Sequence, residues 1–129
     1  MKLPDYRLKQ KILYVDRADP KNLINYGELF FSEGNFSDAL DFYSKAKHPE
    51  GMQKIKEVAW ESGDVMLYQR AARALNMEVS AADWEGIAQK AIALKKILFA
   101  RHALKAANNE KALAELQKRM EAEGLEKSK

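Results

Sequence analysis

Turn-forming residues cut this chain into pieces of one helix length, and their spacing constrains the fold more than any other feature. Asp19-Pro20, Glu33-Gly34-Asn35, His48-Pro49, Gly63-Asp64 and Ser80 each interrupt the apolar pattern, and Asn108-Asn109 does so again further on. Asp19 reads as an N-cap with Pro20 at the first helical position. Ser80, with Asp83 three residues on, reads as a capping box. Between these marks apolar residues recur at helical spacing: Leu23, Tyr26 and Phe30, then Ala39, Leu40 and Tyr43, then Met52, Ile55 and Ala59.

The residues chosen for those pieces agree. Threonine is absent, valine is scarce, and the second half is filled with Ala, Leu, Lys, Glu and Gln, all strong helix formers. No stretch sustains the alternation of a half-buried strand. The expected fold class is all-α. A helix over about 4–15 carries Tyr6, Ile12, Leu13 and Val15. Residues 81–107 hold one glycine, Gly86, and no proline, so they form either one long helix or two helices meeting near Lys95-Lys96. A last amphipathic helix carries Leu113, Leu116 and Met120 before Gly124 and a charged tail over 125–129.

Composition bounds the chemistry. A chain of 129 residues suits a single domain over 1–129 with a core of its own. With 47% hydrophobic and 32% charged residues it does not have the make-up of a disordered chain. The lack of cysteine excludes disulfides, thiolate metal sites and a cysteine nucleophile. His48 and His102 lie far apart, without carboxylates at metal-ligand spacing. Phosphate-cradling loops and nucleophile elbows are absent too. The expectation is a protein that is not an enzyme, with no catalytic residues, no metal and no cofactor. No apolar run has signal-peptide character or membrane-spanning length, which makes the cytoplasm the expected location.

Residues 20–53 resemble a tetratricopeptide repeat. Leu23, Tyr26-Gly27 and Phe30 fall at the family's first-helix positions. Gly34-Asn35-Phe36-Ser37-Asp38-Ala39, followed by Tyr43 and Ala46, falls at its turn and second helix. A degenerate second repeat covers 49–80, with Lys56 at the place of Gly27 and Tyr68 at that of Ala39. Residues 81–107 offer a third through Trp84, Ile87, Ala88, Ala91, Ile97, Ala100 and Leu104. The resemblance implies a right-handed α-solenoid of antiparallel helix hairpins, with capping helices over 1–19 and 108–124. It implies a scaffold that binds a peptide or helix of another protein in a concave groove. The family's clamp for a C-terminal carboxylate is not matched, because the relevant positions read Ile24, Glu28, Lys54, Ala82 and Gly86.

Two surfaces follow. Phe31, Trp60 and Ile92 stand four residues after Gly27, Lys56 and Ala88, at the offset that faces the groove in this family. With Asn25, Glu28, Glu57 and Gln89 beside them they make an apolar strip for a peptide, or a strip that a capping helix covers as core. The alternative surface is basic. Between Glu85 and Glu110 there is no acidic residue, and on a continuous helix Lys90, Lys95, Arg101, His102 and Lys105 share one side at about 100° per residue. Such a stripe is either a solvated face or the site of a helical nucleic-acid-binding or regulatory protein. A homo-oligomer is compatible with either reading.

Overall fold

The structure, a computed structural model, describes residues 19–122. Among them are seven helices and no strands: α1 (Pro20–Ser32), α2 (Phe36–Lys45), α3 (Pro49–Ser62), α4 (Val65–Ala74), α5 (Ala81–Ala93), α6 (Ile97–Ala106) and α7 (Glu110–Ala122). The helix expected over 4–15 and the tail over 125–129 lie outside the described residues. None of the described helices is long and apolar enough to cross a membrane. Residues 81–107 are two helices, α5 and α6, separated at Leu94–Lys96.

The expected caps form. The Asp19 carboxylate accepts from the Lys21 amide at 3.0 Å with Pro20 behind it. Ser80 Oγ accepts from the Asp83 amide at 3.1 Å, and the Asp83 carboxylate accepts from the Ser80 amide at 3.4 Å. Each satisfies amides that the helix start leaves without an internal partner.

The helix ends follow one rule. α1 to α6 each run into a residue with positive φ: Gly34, Lys47, Gly63, Asn76, Lys95 and Asn108. At each, the next amide reaches back five residues to a helical carbonyl. Asn35 donates to Phe30 O, His48 to Tyr43 O, Asp64 to Ala59 O, Met77 to Ala72 O, Lys96 to Ala91 O and Asn109 to Leu104 O, at 2.7 to 3.1 Å. The positive-φ amide itself donates to the carbonyl three residues back. This is the Schellman arrangement, which closes the last turn; the next helix begins after two or three residues except beyond α4, where residues 75–80 intervene.

The chain divides into two compact units, one ending at Val58 and adding Leu67–Met77, the other made of Ala59–Met66 and everything from Glu78 on. In the first, α1 packs on α2 through Leu23, Phe30, Ala39, Leu40, Phe42 and Tyr43, all at most 3% exposed. The Phe42 ring stacks on Phe30 and Tyr26, with centroids 5.2 and 5.5 Å apart. Met52 and Ile55 of α3, with Leu67, Tyr68, Ala71 and Ala72 of α4, complete that core. In the second unit α6 packs on α5 and α7 around Trp84, Ile87, Ala88, Ala91, Ala100, Ala103, Leu104, Leu116 and Met120, joined by Ala59 and Val65.

Two turn glycines separate conformational strain from steric strain. Gly34 has φ +79° and open space where a Cβ would stand. Gly63 has φ +65°, and a Cβ there would come within 2.9 Å of the Ala91 Cα, which is backbone of α5. Gly34→Ala should therefore lower stability by about 1–2 kcal/mol, the left-handed penalty alone. Gly63→Ala adds overpacking and should lower it by roughly 2–4 kcal/mol. Urea unfolding of both variants checks this, and equal losses would contradict the close approach of the α3–α4 turn to α5.

Candidate interaction surface

The first unit is organised around one tyrosine. The Tyr43 ring, fully buried, lies in a slot with glycine on two sides. A Cβ on Gly27 of α1 would stand 2.7 Å from the ring, and one on Gly51 of α3 would stand 2.3 Å from it. Gly27 is thus small to admit Tyr43. Gly51 has the same task from the other side. At the far end of the ring the Tyr43 hydroxyl donates to Glu28 Oε1 at 2.7 Å. The turn residue His48 packs near the same ring, with centroids 5.6 Å apart.

Glu28 is shared with Lys54 of α3, whose ammonium lies 3.0 Å from Oε2 and 3.2 Å from Oε1. The same ammonium stands 4.4 Å above the Phe31 ring centroid, within cation–π range. Phe31 also meets Phe36 edge-on at 5.1 Å. Of the residues expected in the strip, Glu28 and Phe31 are therefore drawn together, with Lys54 as the link. Lys54 was legible only as a non-matching clamp position, since its pairing depends on how α3 lies against α1. Asn25 and Glu57 are exposed, and Glu57 faces the Gln53 amide at 3.5 Å.

These contacts set the ionisation of the pair. The Tyr43 hydrogen bond, followed by Lys54, holds the Glu28 carboxyl below its usual range despite partial burial. Burial, followed by Glu28, pushes the Tyr43 hydroxyl far above the usual tyrosine range.

The rest of the expected strip belongs to the second unit. Trp60 is half-buried, with its ring over Gly86 of α5, where a Cβ would come within 2.5 Å of it. Gln89 is exposed and Ile92 half-buried. Phe31, Trp60 and Ile92 share one local position: each carbonyl accepts the amide of the left-handed residue that ends its helix, at 3.0 to 3.1 Å.

The basic stripe requires a continuous helix, and the break at Leu94–Lys96 removes that premise. Lys90 stays on α5 and pairs with Glu61 at 3.3 Å. Lys95 is the left-handed residue of the turn. Arg101 lies on α6 with its guanidinium 3.1 Å from Met120 Sδ, and the neighbouring His102 meets Trp84 edge-on at 6.0 Å. Lys105 is exposed in the last turn of α6. Of the two alternatives for residues 81–107, two helices meeting at Lys95-Lys96 is the one found, and a lysine occupies the left-handed position where glycine or asparagine commonly marks a helix end.

Linkage gives the first unit a pH signature. Because the folded pKa of Glu28 is depressed, its contribution to stability is present above the ordinary glutamate range and is lost as pH falls through the folded value. Glu28→Gln should shrink the difference in melting temperature between pH 7 and pH 3. An unchanged difference in Glu28→Gln would contradict the hydrogen-bonded pair. Comparisons with models of known families, with curated proteins and with solved structures find no match, so what this surface does rests on its own geometry.

Proposed function

We propose that the chain is a non-catalytic interaction module, an α-solenoid of antiparallel hairpins like the tetratricopeptide repeats, that holds a peptide or helix of another protein. Each unit is read by itself: in the first the contacting residues are Asn25, Glu28, Phe31 and Glu57, with Lys54 beside them, and in the second they are Trp60, Gln89 and Ile92. The observation that carries the reading is the shared placement of Phe31, Trp60 and Ile92. Each is the large apolar residue three positions before a left-handed helix end, and each stays half-buried while the core residues around it are closed off.

Large side chains at a repeated and partly open position suit anchoring of a partner's apolar residues. The polar neighbours Asn25, Glu57 and Gln89 are exposed and suit the rim of such a contact. Lys54 lies over one face of the Phe31 ring while its charge is met by Glu28.

Phe31→Ala and Trp60→Ala, each compared with wild type in affinity capture, should each lose captured proteins. Titration of a captured partner should then show at least about a tenfold loss of affinity for each variant. Circular dichroism should show helicity close to wild type. If both variants retain every partner, the assignment fails. A partner that both variants keep but moderate salt releases would instead indicate binding through the basic residues.

A further inference from the structure

We infer that the seam between α6 and α7 holds a small-molecule site, and that its ligand is a carboxylate carried on a compact apolar body. The site stands apart from the surface proposed above and uses neither Phe31 nor Trp60. Within the second unit a cavity of about 280 Å³ opens along this seam, lined by Arg101, Lys105, Leu113, Leu116, Gln117 and Met120. Helical spacing brings these residues together. Arg101 and Lys105 stand one turn apart on α6, and Leu113, Leu116, Gln117 and Met120 follow one face of α7. Leu116 and Met120 are buried and Leu113 is half-buried, so the apolar part of the lining is continuous with the core.

The cations of this lining lack anions. A guanidinium carries five N–H donors, and among the described residues the only acceptor for that of half-buried Arg101 is the Met120 sulfur, at 3.1 Å. A thioether is a weak acceptor. Lys105 has no hydrogen-bond or ion-pair partner among the described residues. No acidic residue occurs in α6, and Glu110, Glu115 and Glu121 of α7 do not line the cavity. Glu121 accepts from the Gln117 amide at 3.5 Å instead. Lys54, Arg70 and Lys90, by contrast, each pair with a carboxylate.

Charge and shape together select the ligand. Two cations beside an apolar wall suit one anionic group with hydrocarbon behind it. The planar guanidinium matches a carboxylate in a two-point fork. Inorganic phosphate or sulfate would set a hydrated ion against Leu113, Leu116 and Met120, and a neutral apolar molecule would leave Arg101 without a strong acceptor. The volume lies just under the usual range of ligand cavities, about 300–1,000 Å³. It suits an acid the size of benzoate and excludes a peptide segment.

The probe is benzoate, titrated into the full chain with methyl-labelled methionine and read by NMR. The Met120 methyl signal, assigned with Met120→Leu, should shift and saturate with a dissociation constant on the order of 1 mM, as befits so few atoms. The signals of the exposed Met66 and Met77 should stay in place. Benzamide has the ring without the charge and acetate the charge without the ring, and each should bind at least about tenfold more weakly. Arg101→Leu should weaken benzoate binding at least about tenfold. Lys105→Glu, at an exposed position, should weaken it at least about threefold with helicity unchanged, which keeps the test decisive if Arg101→Leu disturbs the fold. The inference is overturned if Met120 shows no saturable shift up to about ten times that concentration. It is equally overturned if Lys105→Glu or a folded Arg101→Leu binds benzoate as wild type does, or if benzamide binds as tightly as benzoate. Equal shifts at Met66 and Met77 would mean general association with the surface and would overturn it as well.

Discussion

Each of the first six helices ends by handing its last carbonyls to the amides of a left-handed reversal, and the remaining structure is counted from those reversals. A helix end leaves carbonyls without partners, and a reversal that takes two of them lets the next helix begin at once. After three of these reversals the next helix repeats one register: Phe36, Val65 and Ile97 each stand two residues after a left-handed position, and Ala39, Tyr68 and Ala100, all at most 4% exposed, five residues after it.

That dependence explains what could be read in advance. Gly34, Gly63, Asn76 and Asn108 are residues that accept positive φ at low cost, so the helix ends they make were visible in the sequence. Lys47 is not such a residue, but Pro49 two positions later still marks the boundary. At Lys95 neither signal exists, and the left-handed conformation is imposed by the packing of α6 on α5. Because the chain breaks there, the basic residues of α5 and α6 do not share the face that a continuous helix would give them. Caps at Asp19 and Ser80 were legible for the opposite reason: their hydrogen bonds are made within three residues, and local sequence contains both partners.

The slot around Tyr43 was legible from one side only. Gly27 stood out because Tyr26-Gly27 falls at a first-helix position of the tetratricopeptide resemblance, whereas Gly51 sits in the first turn of α3, where a glycine draws little notice. Its need becomes visible only when the ring is in place. Both glycines weaken their helices by roughly 0.5–1 kcal/mol relative to alanine, and burying the full tyrosine ring between them more than offsets this. The ring's hydroxyl cannot be buried without an acceptor, and Glu28 meets that need at the edge of the core. A packing requirement of the interior thus determines the orientation of a carboxylate on the surface.

The consequence extends one step further out. Lys54 and Glu28 both remain partly exposed, at 41% and 48% of their side chains, so their ion pair adds little to stability. What the pair does is positional. Glu28, held by Tyr43, directs the Lys54 ammonium, and the ammonium then lies over Phe31. Removing Lys54 would therefore leave the fold nearly unchanged while altering the polarity of the ring's open face. In the second unit the half-buried ring of Trp60 is seated differently, by the absence of a side chain at Gly86. One aromatic is oriented by charge and the other by a gap in a neighbouring helix.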